Sequence, residues 1–158
     1  RLFVWVAVGA CLNDAFAYFV GVFFGKHKMN ESISPTKTWE GFFGGVILTS
    51  IVLSGWAILQ DLLSGGAHPI LAGVLDVKHF YYVIILSTLI PLVSVLGDLV
   101  FSSIKRFYGI KDFSNIMPGH GGILDRVDSI LFAMITAAIY IRIFYDFAGT
   151  GLGGFILP

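Results

Sequence analysis

The stretch FYYVIILSTLIPLVSVLGDLVFSSI, from Phe80 to Ile104, holds one charged residue, Asp98, in a run dominated by Leu, Ile and Val. A helix that crosses the hydrocarbon core of a bilayer needs about 20 largely apolar residues, and this run exceeds that length. Leu2 to Phe24, Gly41 to Leu63 and Ile123 to Phe147 have similar length and composition. The expected fold is therefore all-α, a polytopic transmembrane bundle of about four spanning helices whose connecting loops carry polar chemistry. Pro91 lies inside the third span and should kink it, because proline removes a backbone donor. Pro35 follows Ser34 in the order of an N-cap and a first helical residue, which predicts a short helical turn in the first connection.

The composition agrees with a bilayer as solvent. Of 158 residues, 56% are hydrophobic and 13% charged, about half the charged share of a typical soluble domain. The formal net charge is zero, which removes the basic footprint of a nucleic-acid binder, so no nucleic-acid partner is expected. Cys11 is the single cysteine, which excludes a disulfide framework and a cysteine-rich metal site. The chain opens at Arg1 and enters apolar sequence at once. Residues 1–158 are expected to form one membrane-embedded domain, read as a fragment of a longer chain.

Orientation follows from the basic residues. Lys26, Lys28 and Lys37 lie in the first connection, Lys78 alone in the second, and Lys105, Arg106, Lys111 and Arg126 around the third. The first and third connections are thus expected in the cytoplasm. Trp5, Trp56, Tyr81, Tyr82, Tyr140 and Tyr145 gather toward the opposite ends of the spans, where an interfacial aromatic belt is expected. Ala17, Gly21 and Gly25 recur every four residues on the first span, as do Gly41 and Gly45 on the second, a spacing that lets two helices approach closely in lipid.

Some polar residues stand where lipid would penalise them. Asn13 and Asp14 lie about 18 Å of helical rise before Lys26. Lipid-facing Asp at mid-span costs about 2.5–3.5 kcal/mol, so Asp14 must meet a hydrated cavity, a cation or a partner helix. Asp98 precedes Lys105 on the third span, and Asp125, Arg126 and Asp128 open the fourth. Asp125 and Asp128 are three apart, on one helical face, where two carboxylates can share a cation. A plainer role for them is to complement the helix dipole. Gly119, His120, Gly121 and Gly122 run into that helix, so successive N–H groups and its positive end can meet a phosphate. Ser34, Thr36, Lys37, Thr38 and Glu40 supply hydroxyls, a cation and a carboxylate on the same side of the membrane.

The run Ser102-Ser103-Ile104-Lys105-Arg106, four residues, Lys111-Asp112-Phe113-Ser114, then Pro118-Gly119-His120-Gly121-Gly122-Ile123-Leu124-Asp125-Arg126-Val127-Asp128 resembles the signature of the phosphatidate cytidylyltransferase (CDP-diacylglycerol synthase) family. Upstream, Asn13-Asp14 with Ala17-Tyr18, Gly21 and Phe24-Gly25-Lys26, followed by Ile33-Ser34-Pro35-Thr36-Lys37-Thr38-Trp39-Glu40-Gly41, is similar to that family's other characteristic run. Two positions depart: Met117 stands where Leu, Ile or Phe is usual, and Phe101 where many bacterial members have Glu. The second departure removes a carboxylate and shifts weight to Asp98, Asp125 and Asp128.

The resemblance implies transfer of a cytidylyl group from CTP to phosphatidic acid, giving CDP-diacylglycerol and pyrophosphate with Mg²⁺. Asp98, Asp125 and Asp128 would hold the metal, with Asp14 a candidate for a second cation. Lys105, Arg106, Lys111, His120 and Arg126 would stabilise the phosphates. Asn13, Asp14, Ser34, Lys37, Thr38, Ser102, Gly119, Gly121 and Gly122 would bind substrate. The resemblance also implies that residues 1–158 are the catalytic domain of a longer chain with further N-terminal spans, set in a bacterial plasma membrane, with membrane lipids as partners, a cytoplasmic active site and a homodimer as one arrangement. A CTP-dependent lipid kinase and a cation channel or transporter remain alternatives on the residues alone. In a Cys11→Ala background, Ser114→Cys should label with an impermeant thiol reagent from the cytoplasmic side and Ala67→Cys from the other. Labelling of both from one side would overturn the orientation.

Overall fold

The computed structural model describes residues 2–30, 34–64, 80–110 and 124–147, with the backbone alone at 30, 35, 36, 64, 80, 124–128 and 144–147. Four helices run in sequence order: α1 (Leu2–Phe24), α2 (Trp39–Ser64), α3 (Phe80–Phe107) and α4 (Leu124–Phe147). Between α1 and α2 two short strands, β1 (Lys28–Asn30) and β2 (Ser34–Thr38), pair antiparallel. Three helices are long and apolar enough to cross a membrane, over Leu2–Phe24, Trp39–Leu63 and Tyr81–Phe107. The fourth expected span is a helix of spanning length, but its described apolar part runs only over Ser129–Ile143. Charged Asp125, Arg126 and Asp128 precede that stretch and Arg142 lies near its end. The protein is an all-α integral membrane protein.

A core runs between the helices. Trp5, Val6 and Ala10 of α1 meet Leu53 and Ala57 of α2, Val83, Leu86 and Ile90 of α3, and Ala133, Ala137, Tyr140 and Ile141 of α4. The outward faces stay apolar as well, with Phe19, Phe23, Ile47, Ile51, Leu59 and Ile139 exposed. In water such a surface would drive aggregation, whereas lipid tails solvate it without penalty.

The small-residue rows bring α1 and α2 into contact. A Cβ added at Gly45 would lie 2.9 Å from Ala17 Cβ and 3.0 Å from the Ala17 backbone nitrogen. Pairing of Gly9 with Leu53, Ala17 with Gly45 and Gly21 with Gly41 gives one continuous antiparallel register. α3 and α4 close up in the same way, since a Cβ at Gly97 would lie 2.7 Å from Phe132. Phe101, one turn further on, packs edge to face on that same ring with centroids 5.9 Å apart. The residue that departs from the family pattern thus fills the α3–α4 interface.

Pro91 sits inside an uninterrupted α3. Its missing N–H leaves the Ser87 carbonyl without the usual helical donor, and Ser50 Oγ of α2, which shares its one proton with its own-helix Val46 carbonyl at 2.6 Å, reaches that carbonyl at 3.3 Å. Asn13 Nδ2 of α1 donates to the Pro91 carbonyl at 3.3 Å. The proline therefore becomes the point at which three helices are joined by polar contacts.

Several sequence expectations need correction. Ser34 and Pro35 do not start a helical turn; they belong to β2. Lys28 pairs with Thr38 and Asn30 with Ser34, so β2 carries extra residues between those pairs, an irregular stretch in which a proline lacking its N–H is tolerated. α2 begins at Trp39 rather than Gly41 because Thr38 Oγ1 accepts from the Gly41 N–H at 3.1 Å and caps it. α3 continues past Ile104 to Phe107 and stops where Gly109 takes φ 66°. Gly109 N–H donates to Arg106 O and Ile110 N–H to Lys105 O, both at 3.0 Å, which is a Schellman stop. Two members of the expected aromatic belt face inward. Trp5 is fully buried and its indole N–H donates to Leu53 O at 3.2 Å, while Tyr140 is buried with its hydroxyl donating to Tyr82 O at 3.0 Å. Each polar tip found a carbonyl inside the bundle, so neither ring needs the interface. Tyr145 and the expected loop glycines lie outside the described side chains.

Gly45 and Gly55 provide a paired test, because a Cβ at Gly55 meets nothing within 4 Å. Gly55→Ala should leave thermal stability in detergent unchanged or raised by about 0.5–1 kcal/mol. Gly45→Ala should lower it by about 1–3 kcal/mol through overpacking. Equal shifts in the two variants would contradict the close α1–α2 approach.

Candidate functional site

The strand β2 delivers Lys37 to α3. Its ammonium donates to Asp98 Oδ2, and both side chains are 25% exposed. Two opposite charges held mostly out of water compensate each other's desolvation, which neither would bear cheaply alone. Ser102, one turn along α3, donates through Oγ to Asp98 Oδ1 at 3.3 Å. Both carboxylate oxygens therefore have partners, and the side chain is fixed in orientation.

Lys37 and Asp98 line a cavity of about 290 Å³ together with Asp14, Ala17, Tyr18, Met29, Thr38, Gly41, Phe42 and Val95. Residues 61 positions apart are brought together here, and Asp14 joins them from α1. The apolar share of the lining comes from Ala17, Tyr18, Met29, Phe42 and Val95, beside the charged Asp14, Lys37 and Asp98.

The hairpin that carries Lys37 is tied on both sides. Thr38 caps α2, and the Trp39 N–H donates to the His27 carbonyl at 3.0 Å. Glu40, in the first turn of α2, accepts from the His27 backbone N–H at 3.2 Å and lies 2.6 Å from His27 Nδ1. The end of α1, both strands and the start of α2 thus form one braced unit around Lys37.

The expected site residues divide into three groups. Asp14, Lys37, Thr38 and Asp98 share the cavity, and Ser102 supports Asp98. Asn13 is fully buried and bonded to α3, away from the cavity lining, and Ser34 lies four residues before Thr38 on β2. Lys105 and Arg106 occupy the last turn of α3. Lys111, Gly119, His120, Gly121 and Gly122 lie outside the described residues, as do the side chains of Asp125, Arg126 and Asp128. The backbone of α4 places Asp128 about one turn and Asp125 about two turns beyond Phe132, toward the hairpin end of the bundle. Among the described residues no group of three His, Cys, Asp or Glu side chains could hold a metal ion. Sequence reasoning missed His27; only the near-coincidence of a histidine after one span and Glu40 at the start of the next hinted at a clamp.

Residues 1–144 match the cytidylyltransferase family. The chain belongs to that family. Among the relatives of this chain, the phosphatidate cytidylyltransferase of Haemophilus influenzae is 42% identical over 147 residues, covering 92% of this chain and 45% of the relative. That of Bacillus subtilis is 41% identical over 122 residues, 77% of this chain and 40% of the relative. That of Mycobacterium tuberculosis is 36% identical over 138 residues, 86% and 37%. The chain thus spans less than half the length of these relatives.

The cap that positions Lys37 can be tested directly. Thr38→Val keeps the shape but removes the oxygen that accepts from Gly41, and should cost about 0.5–2 kcal/mol of stability. Thr38→Ser should retain most of it. Thermal unfolding of both variants in one detergent checks the point, and equal stability would remove the cap from the account.

Proposed function

We propose that this protein transfers the cytidylyl group of CTP to phosphatidic acid, giving CDP-diacylglycerol and pyrophosphate, at the cytoplasmic face of the membrane. The observation that carries the reading is the Lys37–Asp98 pair on the wall of a cavity that also takes in Asp14, in a chain of the cytidylyltransferase family. A phosphate oxygen of phosphatidic acid attacks the α-phosphorus of CTP, and the bond from that phosphorus to the bridging oxygen breaks, releasing pyrophosphate. The attacking oxygen is already anionic, so no general base is needed. The barrier lies in bringing two polyanions together and in carrying the charge that develops on the leaving group.

The cavity's residues suit that task. Lys37 supplies a cation on a flexible stem for a phosphate oxygen. Lys105 and Arg106 in the last turn of α3 add positive charge at that end of the helix, and Lys111 and Arg126 follow in the sequence. The mixed lining, Tyr18 and Phe42 beside Asp14 and Lys37, fits a substrate with an anionic head and apolar tails.

Oxygen donors of Asp98 are hard ligands of the kind Mg²⁺ selects, and Mg²⁺ commonly takes only one or two carboxylates alongside substrate phosphates and water. Asp98, with Asp125 and Asp128 on α4, would hold such an ion, and Asp14 a second. Bound there, Mg²⁺ would neutralise triphosphate oxygens and act as a Lewis acid.

With CTP labelled at the α-phosphorus and phosphatidic acid in mixed micelles, label should enter the lipid, dependent on Mg²⁺. Unlabelled lipid with release of CDP would indicate a kinase instead. Asp125→Asn and Asp128→Asn should each reduce transfer at least about a hundredfold without loss of membrane insertion, because an amide keeps the shape and loses the charge.

A further inference from the structure

Asp98 is assigned a divalent cation, yet its carboxylate already has one positive partner. Lys37 sits on Oδ2 and Ser102 on Oδ1. We infer that Lys37 is a positioning residue that occupies the cation's place on Asp98 until nucleotide arrives, and then passes to a phosphate oxygen. The inference rests on the proposed function for the identity of the incoming ligands.

The resting pair has a physical reason. A carboxylate three-quarters shielded from solvent is costly without a counter-ion. Lysine rather than arginine fits an exchange: its ammonium is a point charge on a flexible stem, with no bidentate fork to lock it to one carboxylate. The backbone on either side need not move. Thr38 is held by its cap on α2 and Trp39 by the His27 carbonyl, so the side chain of Lys37 alone would swing. The cavity of about 290 Å³ that both residues line gives it somewhere to go. Ser102 stays on Oδ1 and keeps Asp98 aimed when Lys37 leaves.

Charge conservation in the cavity then links the two ligands. A divalent ion alone must displace Lys37 toward Asp14, the other carboxylate lining the cavity, where the lysine competes for the group assigned to a second cation, so the ion gains little and binds weakly. A triphosphate supplies a separate anion for the lysine, so nucleotide and metal promote each other's binding, and by linkage the effect is reciprocal. The resting enzyme would thereby avoid holding a bare divalent ion against its acidic residues.

The test is Mn²⁺ binding, followed by electron paramagnetic resonance on the purified protein in detergent without nucleotide, and CTP binding at saturating Mn²⁺ without lipid. Lys37→Gln should bind Mn²⁺ at least about fivefold more tightly than the unaltered protein, the lower end of typical coupling between sites, and CTP at least about fivefold more weakly. Shifts in opposite directions are what a merely structural lysine would not produce. Equal or weaker Mn²⁺ binding by Lys37→Gln overturns the inference. Should that variant fail to fold, Asp98→Asn provides a second reading: with Lys37 released, CTP should bind more tightly than in the unaltered protein when no divalent ion is present, and unchanged binding overturns the inference. Both measurements are read without turnover. Loss of the expected shifts in a protein that still labels lipid rejects the role of Lys37 alone, while absence of labelling by the unaltered protein rejects the assigned reaction.

Discussion

In a bilayer every backbone polar group must be satisfied inside the protein, and Pro91 breaks that condition at the centre of α3. The repair organises the bundle. Ser50 shares its hydroxyl proton between its own-helix Val46 carbonyl and the carbonyl that the proline leaves without its donor, and Asn13 donates to the carbonyl of the proline itself. Those two bonds draw α1 and α2 onto the same level of α3. With Asn13 turned toward α3, the next residue points about 100° further round the helix, and this is how Asp14 comes to line the cavity. A contact made for packing thus aims a carboxylate into the cavity.

The hairpin end shows the same economy of parts. Thr38 both caps α2 and fixes the strand residue beside it, and Gly109 both stops α3 and determines where the chain leaves after Lys105 and Arg106. Gly97 serves twice as well. It admits Phe132 against α3, and it stands next to Asp98, so the ring of α4 packs immediately beside the residue that holds Lys37. Phe101 extends that packing by one turn. The charged cluster is built on close helix contacts, which fix its side chains more firmly than loops would.

The spans were legible in the sequence because an apolar run of about 20 residues matches the thickness of a bilayer and far exceeds what a soluble core helix of ordinary length requires. The small-residue rows were legible because their spacing of four has a direct steric meaning. The hairpin was not. Strands of three and five residues with an irregular register leave no period-two pattern to read, and Ser34-Pro35 carries the same letters as a helix start. Trp5 and Tyr140 depart from the aromatic belt because composition places such rings near helix ends but cannot say whether a carbonyl awaits them inside. For the site, the cost of Asp14 and Asp98 in lipid was readable, and their sharing of one cavity agrees with it. Which cation answers Asp98 was not readable, since Lys37 lies 61 residues away on a strand the pattern did not reveal.

The position of the cavity follows from the substrates it is proposed to unite. A nucleotide triphosphate cannot enter hydrocarbon, and a lipid phosphate cannot leave it without exposing its tails, so the reacting groups meet only at the rim. A site there must hold charge without full hydration. One answer is to keep charges as neutral pairs and release them when the ligand supplies the opposite sign. The Lys37–Asp98 pair works in this way: it costs little while closed, and either member gains a partner of greater charge when it opens. An arginine in that place would bind its carboxylate through two parallel bonds and resist opening. A lysine on a braced strand, facing a carboxylate braced by a serine, keeps the backbone rigid and the charge movable.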